Sequence, residues 1–313
     1  MENSVSVILA NRNDLQMLLV TVLSAVEDLR GRGEVIVVDN SDERYKECVE
    51  ALLSGQIKDG MVKLFHQKKP SSAAAMELAA QKATGEFLFY TDSHTLVGRG
   101  TIDSCVRFFR RHEGEPIAFC HAPIQWAHNS KGARKVSFRL HRNPLGSWGK
   151  MITKECKVTW KGMPHMIKKE TYHAIGGYGC LAKHHVGWGG LIPYLGMKPW
   201  LLGYENWGIP HGVSYHFGEY PKVCRGDVKY RLYGRHGSYP AGASHAISAY
   251  VFGGMEFLKE VYSQARMERY FGNFASAAAV AQKVGGEERE WMLENQVCSV
   301  QELLADPPWG KDF

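Results

Sequence analysis

A chain of 313 residues that is 44% apolar and 22% charged has the make-up of a soluble globular protein with a sizeable core, built as one large domain or as a domain with an addition. The formal net charge of +6 is modest but uneven: "KGARKVSFRLHR" and "KVCRGDVKYRLYGRHG" gather basic residues mid-chain, a pattern that fits an anionic ligand, a polyanionic partner or an ordinary solvated surface. No stretch approaches the roughly 18 uncharged apolar residues of a membrane span, so no membrane association is expected.

The start, "MENSVSVILANRND", has no basic flank and no cleavable apolar segment, so no signal peptide is expected. Residues 4–10, "SVSVILA", read as a buried strand closed by the polar turn "NRND". Helical periodicity follows over 15–29, ending at Gly31 and Gly33. "EVIVVDNSD" is a second buried strand, "RYKECVEALLSG" a helix ended by Gly55, and "VKLFHQ" a third strand. "SSAAAMELAAQKATG" is a helix opened by Ser and closed by Gly85, and "EFLFYTDSH" is a fourth strand. Strand and helix alternating in this way predict an α/β fold: a mostly parallel, Rossmann-like sheet flanked by helices. From 121 to 245 the chain is rich in Gly, Trp, Tyr and His with weak periodicity, which predicts long functional loops. From 255 onward it reads as two or three helices, a C-terminal extension that ends in "PPWGKDF", a flexible tail or a docked strap. The seven cysteines are scattered without Cys-x-x-Cys spacing, which predicts reduced thiols and a cytoplasmic setting.

Ligands of parallel sheets sit at the carboxyl ends of the strands. Three of those ends carry polar groups here: Asn11-Arg12-Asn13, Asp39-Asn40 and Asp92-Ser93-His94. Neither G-x-G-x-x-G nor a P-loop motif is present, so neither a dinucleotide site nor a P-loop is supported. Asp-x-His in an extended segment puts a carboxylate and an imidazole on one side, two ligands that suit Mn²⁺ better than Ca²⁺. The same residues also serve to cap the following helix or bend a turn, and local sequence does not choose between these roles.

The order of "SVSVILANRND", "EVIVVDNSDER" and "ATGEFLFYTDSH" resembles the nucleotide-sugar half of a glycosyltransferase with the GT-A fold, of the family 2 type. Most such enzymes end the last of these strands in Asp-x-Asp; Asp-Ser-His is similar instead to the Asp-x-His of the polypeptide N-acetylgalactosaminyltransferases. The second half resembles that family too. "KGMPHMIKKETYHAIGGYG" matches in order and spacing, followed by Trp188-Gly189-Gly190, Trp200, Gly203, Ile209-Pro210 and His216, and then "YPAGASHAISAYVFGGMEFLKEVY". The similarity runs from about residue 4 to 262 and divides the chain into a GT-A domain (1–254) and a helical extension (255–313), the domain having a nucleotide-sugar half (1–97) and an acceptor half (98–254).

The resemblance implies that Asp92, His94 and His216 ligate Mn²⁺ or Mg²⁺, that Asp39 holds the uracil of a UDP-sugar, and that Asn11 and Arg12 lie along the nucleotide. Ser71 and Ser93 join that nucleotide-binding set, and Lys222 and Arg225 stand in for missing phosphate contacts. Trp188 would line the sugar and acceptor pocket. Four departures accompany the match. Leu191-Ile192 replaces Glu-Asn after Trp-Gly-Gly, Asp39-Asn40 has lost one carboxylate, "PSSAAAM" lacks the Gly and Arg of the phosphate-side loop, and the basic residues after His216 are displaced. With the usual acid gone, the candidates for a general base are His184, His185, Glu205 and His211. Retention, in which the leaving phosphate takes the acceptor proton, needs none of them, and the resemblance favours it. Three acceptors remain open: a protein or peptide hydroxyl, a glycan, or a hydroxylated DNA base held by the basic and aromatic segments 128–150 and 222–239. A module that binds the nucleotide sugar without catalysis also stays open.

Overall fold

The computed structural model describes residues 4–68, 70–126, 152–159, 163–184, 191–217, 238–264, 267 and 271–309. The first half alternates as the sequence predicts: β1 (Val5–Asn11), α1 (Leu15–Leu29), β2 (Gly33–Asp39), α2 (Glu43–Lys58), β3 (Val62–His66), α3 (Ser72–Lys82) and β4 (Phe87–Asp92). The Gly55 stop is not used: α2 continues to Lys58, because a lone glycine lowers helix propensity without ending a helix whose Val49 and Leu53 are buried against the sheet. β5 (Thr95–Leu96), α4 (Thr101–Arg111), β6 (Ile117–His121) and β7 (Ile124–Trp126) come next.

The second half holds more regular structure than its weak periodicity suggests. It supplies β8 (Cys156–Lys157), β9 (His165–Lys168), α5 (Lys169–Ala174), α6 (Gly179–His184), α7 (Leu191–Leu201), β10 (Glu205–Gly208) and β11 (Ser214–His216). The C-terminal helices are α8 (Ser238–Gln264), bent at Gly254, α9 (Phe274–Asn295) and α10 (Val300–Ala305). No helix among the described residues is long and apolar enough to cross a membrane.

The main sheet has the order β3-β2-β1-β4-β9-β6-β10-β8, with β9 and β8 antiparallel to their neighbours and the other strands parallel. A smaller sheet, β5-β11-β7, lies beside it. Period-two alternation feeds each central strand into two cores. Val7 and Leu9, Val35 and Val37, and Phe87 and Phe89 pack with α1, α2 and α4. Ile8, Ile36, Val38, Leu88 and Tyr90 belong to the other core, with α3, α6, α7 and the three C-terminal helices. Those helices therefore wall the same core as the central strands. At the chain end Trp309 is buried with its ring 5.3 Å from that of Trp200, so this part of the tail is docked.

One ion pair ties α9 to α7. Lys198 is 0% exposed, and its Nζ donates to Glu288 Oε1 at 2.5 Å and to the carbonyls of Gly176 and Gly177 at 3.3 Å. Glu288 Oε2 accepts the Cys180 N–H at 2.5 Å. Gly179, at φ 46°, has to be glycine, since a Cβ there would meet the Glu288 carboxylate at 2.2 Å.

At the start of β2, Glu34 accepts from Ser6 Oγ at 2.8 Å and from the Thr84 N–H and hydroxyl at 2.7 Å, and pairs with Lys63 at 2.5 Å. Burial pushes its carboxyl up, but the Lys63 ammonium and the Thr84 and Ser6 donors outweigh it and bring the pKa from 4.5 down to about 2. A folded-state pKa below the unfolded one means stability that is fully present above about 4.5 and fades as the pH falls towards 2. Glu34→Gln is expected to cost about 2 kcal/mol near neutrality and to flatten that acid slope, as urea titrations across the acid range would show. An unchanged slope would refute the assignment.

Candidate functional site

Parallel pairing of β1 with β2 and β4 sets Asn11 beside Asp39 and Ala10 beside Asp92, while β3 brings His66 next to Asp39. The polar strand ends named by the sequence thus share one edge of the sheet. There Asn11 Nδ2 donates to Asp39 Oδ1 at 2.8 Å, and the Ser41 hydroxyl donates to the same oxygen at 2.6 Å. Asn11 Oδ1 and Asp39 Oδ2 are buried acceptors without a hydrogen-bond donor among the described residues, although His66 Nδ1 lies 3.3 Å from the latter. Buried acceptors of this kind call for a partner, which a ligand donor at this strand end would supply. Arg12 reaches Asp42 at 3.5 Å. Ser71 caps α3, its Oγ accepting the Ala74 N–H at 3.1 Å, and Asn40 Oδ1 joins this turn to the edge through Gln67 Nε2 at 3.0 Å.

Beyond Asp92 the chain turns at Ser93-His94 into β5, and α1 grips this stretch. Thr21 Oγ1 donates to the Ser93 carbonyl at 3.0 Å and accepts the Thr95 N–H at 3.1 Å. Ser24 Oγ accepts the Val97 N–H at 3.0 Å. Asp28 takes the N–H groups of Gly100 and, at 2.8 Å, Ile102, so the cap of α4 comes from α1. Burial raises the Asp28 carboxyl above the usual carboxylate range against the opposing pull of the Ile102 and Gly100 N–H groups. Positions 21, 24 and 28 fall on one helical face.

The second sheet supplies the third side chain. β11 pairs His216 with Thr95, and the Phe217 N–H donates to the His94 carbonyl at 3.0 Å. The approach is close: a Cβ on Gly98 would stand 1.7 Å from the Val213 carbonyl oxygen. As a result Asp92, His94 and His216 each offer a ligand atom within 4.8 Å of the others. His216 Nε2 is 3.4 Å from Asp92 Oδ2, and the two imidazoles meet edge to face with centroids 4.7 Å apart. One carboxylate and two imidazoles form a donor set suited to Mn²⁺ or a similar divalent ion, so these residues fit a metal. Nearby, burial, with Glu77 and Asp92 adding to it, pushes the Tyr178 phenol well up, so it stays neutral.

Glu205 is not brought to this group. It begins β10 opposite Ile117, at the other end of the sheet from Asp92, where Lys157 Nζ at 2.5 Å and Trp207 Nε1 at 2.8 Å occupy its carboxylate. His184 and His211 are exposed, at the end of α6 and before β11. His185, Trp188, Lys222 and Arg225 lie outside the described residues, as do the basic segments 128–150 and 222–237. Leu191, in the place where the resemblance would put an acid, is buried at the start of α7. Sequence reasoning missed Thr21, Ser24 and Asp28; the available signal was a set of polar residues on the otherwise apolar stripe of α1.

The mixed α/β architecture, a large mostly parallel central sheet flanked by helices with a helical C-terminal region, is that of the GT-A class of glycosyltransferase folds. The chain belongs to glycosyl transferase family 2, whose model matches residues 6–163. Among solved structures it is similar to GalNAc-T7 with UDP, GalNAc and Mn²⁺, at 17% identity and a TM-score of 0.72 over 97% of this chain and 57% of that one. It is also similar to residues 1–349 of S. aureus TarS, at 12% identity and a TM-score of 0.52 over 92% of each chain. The chain thus spans 57% of the length of the GalNAc-T7 chain. No curated protein matches the sequence.

Proposed function

We propose that this protein transfers a sugar from a UDP-sugar to a hydroxyl acceptor, with a divalent cation on Asp92, His94 and His216. The observation that carries this reading is the convergence of those three side chains within 4.8 Å, beside the unfilled acceptors of Asn11 and Asp39. A Mn²⁺ ion held there would neutralise the charge that gathers on the departing diphosphate. Asn11 and Asp39 receive the donors of the uracil base, Arg12, Ser71 and Ser93 line the nucleotide, and Lys222 and Arg225 meet the phosphates. Trp188 walls the sugar. Residues 1–97 are read as the donor half, 98–254 as the acceptor half, and 255–313 as a helical extension.

Retention of configuration fits the residues better than inversion. The reading rests on the resemblance to a retaining family, in which the leaving phosphate takes the acceptor proton; Glu205, committed to Lys157 and Trp207 across the sheet, and the apolar Leu191 agree with it. The acceptor we favour is cytoplasmic, a glycan or a hydroxylated DNA base, on the basic and aromatic composition of 128–150 and 222–239. Leu191-Ile192, with Leu191 buried, and the altered phosphate-side loop "PSSAAAM" favour a second reading, a nucleotide-sugar-binding module without turnover.

A panel of UDP-sugars incubated with Mn²⁺ separates these readings. Slow hydrolysis of one donor, abolished by chelation, is expected, with Asp39→Asn weakening UDP binding roughly tenfold through loss of a charge-assisted hydrogen bond. Hydroxymethylated DNA, glycans and peptides then compete as acceptors of that sugar. UDP binding without cleavage of any donor would establish the binding module, and failure to bind UDP at all would remove the donor assignment.

A further inference from the structure

We infer that Asp14 is a positioning residue for the metal: its carboxylate faces Nδ1 of His94 and, once a cation is bound, would take the Nδ1–H and so present the other ring nitrogen, Nε2, to the ion. This rests on the metal reading of Asp92, His94 and His216 given above. Asp14 Oδ2 stands 3.3 Å from His94 Nδ1, with both side chains largely covered, at 13% and 24% exposure; the two are in ion-pair range without a formed hydrogen bond, and Nδ1 is a buried nitrogen with no hydrogen-bond partner among the described residues. Asp14 is not a member of the group whose ligand atoms lie within 4.8 Å of one another, so it backs the ring instead of competing for the ion. It sits directly before α1, where an Asp ordinarily caps, yet its side chain makes no capping hydrogen bond to that helix.

The turn that aims Asp14 is held from several sides. Asn13 adopts φ 56°, a left-handed conformation uncommon for any residue but glycine. Its N–H donates to Ser41 Oγ at 2.8 Å, its Nδ2 to Asp42 Oδ2 at 2.9 Å, and its Oδ1 accepts the Asp42 N–H at 2.9 Å. Ser41 is also bonded to Asp39, so the base-side floor and the residue behind His94 belong to one hydrogen-bonded unit. Metal-bound imidazoles commonly donate their second nitrogen to a carboxylate, which fixes tautomer and ring orientation and makes the ligating nitrogen more basic. Asp14 and His94 have the composition and placement of such a pair.

Mn²⁺ titrations of the whole chain, followed by electron paramagnetic resonance, test this on the parent, Asp14→Ala, Asp14→Glu and His94→Ala. Thermal unfolding of each without metal accompanies them. ¹⁵N NMR of the histidine-labelled, metal-free parent reads the His94 tautomer directly. The expected result is about a 10–100-fold loss of Mn²⁺ affinity in Asp14→Ala, partial recovery in Asp14→Glu, unchanged metal-free unfolding, and an Nδ1–H tautomer in the parent. Parent-like affinity in Asp14→Ala alongside loss in His94→Ala overturns the role of Asp14 and leaves the metal site standing. A parent that takes up no Mn²⁺ removes the metal site and this inference together. Should Asp14→Ala not fold, the parent's tautomer decides, and an Nε2–H ring refutes the inference.

Discussion

Asp92→Ala and His216→Ala are each expected to slow Mn²⁺-dependent cleavage of the preferred UDP-sugar by about a thousandfold, with little change in unfolding temperature. The size follows from the several kcal/mol a Lewis acid contributes to a charge that develops only in the transition state, at about 1.4 kcal/mol per tenfold in rate. Because that charge is small in the bound donor, kcat falls further than KM rises. The fold survives because the loop is not hung on these side chains. Thr21 and Ser24 hold it through the Ser93 carbonyl and the Thr95 and Val97 N–H groups, and Asp28 holds the turn into α4. Steady-state rates measured beside differential scanning fluorimetry check both halves of the expectation. A variant that keeps parent-like kcat with Mn²⁺ present would show that the trio is not the metal site.

Glu288→Ala is expected to be the most destabilising single change in the C-terminal helices, costing about 3–5 kcal/mol by leaving the wholly buried Lys198 ammonium without its counter-charge. A Lys198→Met, Glu288→Met double variant is expected to lose much less, since it removes both charges at once. Burial works to raise the Glu288 carboxyl, but Lys198 and the Cys180 N–H hold it below the usual value of 4.5. Its contribution is therefore complete above that value and declines as the pH falls below it. Urea unfolding of the single and double variants measures this. Equal losses in the two would mean that packing around Met292 and Leu201, not the ion pair, fixes α9.

The first four strands and three helices were legible because each states its period plainly: buried runs closed by polar residues, and helical stretches opened by Asp or Ser. The metal trio was legible in part. Asp92 and His94 announce themselves two residues apart, but His216 enters only through likeness to a family, since nothing local marks its strand. The helix α7 was hidden for a physical reason. "LIPYLGMKPWL" is apolar apart from Lys198, its residues 194–201 are all buried, and Pro199 sits inside it, so neither periodicity nor propensity points to a helix. Glu205 shows the opposite failure. A carboxylate in an aromatic, glycine-rich stretch suggests chemistry, but direction along a strand decides which end of the sheet it occupies, and only the pairing with Ile117 reveals that.

The route by which His216 arrives carries a thermodynamic consequence. Asp92 and His94 lie more than a hundred residues before it, and β11 is three residues long, held between β5 and β7. An ion bound by all three would act as a cross-link between the donor half of the chain and a short strand of the other half. Its binding energy and the integrity of the small sheet are then reciprocal. Whatever frays β11 weakens the ion by some factor, and removing the ion loosens β11 by that same factor. Hydrogen exchange at the Tyr215 and His216 amides should consequently slow with added Mn²⁺ in proportion to occupancy, which makes this three-residue strand a reporter of the state of the donor site.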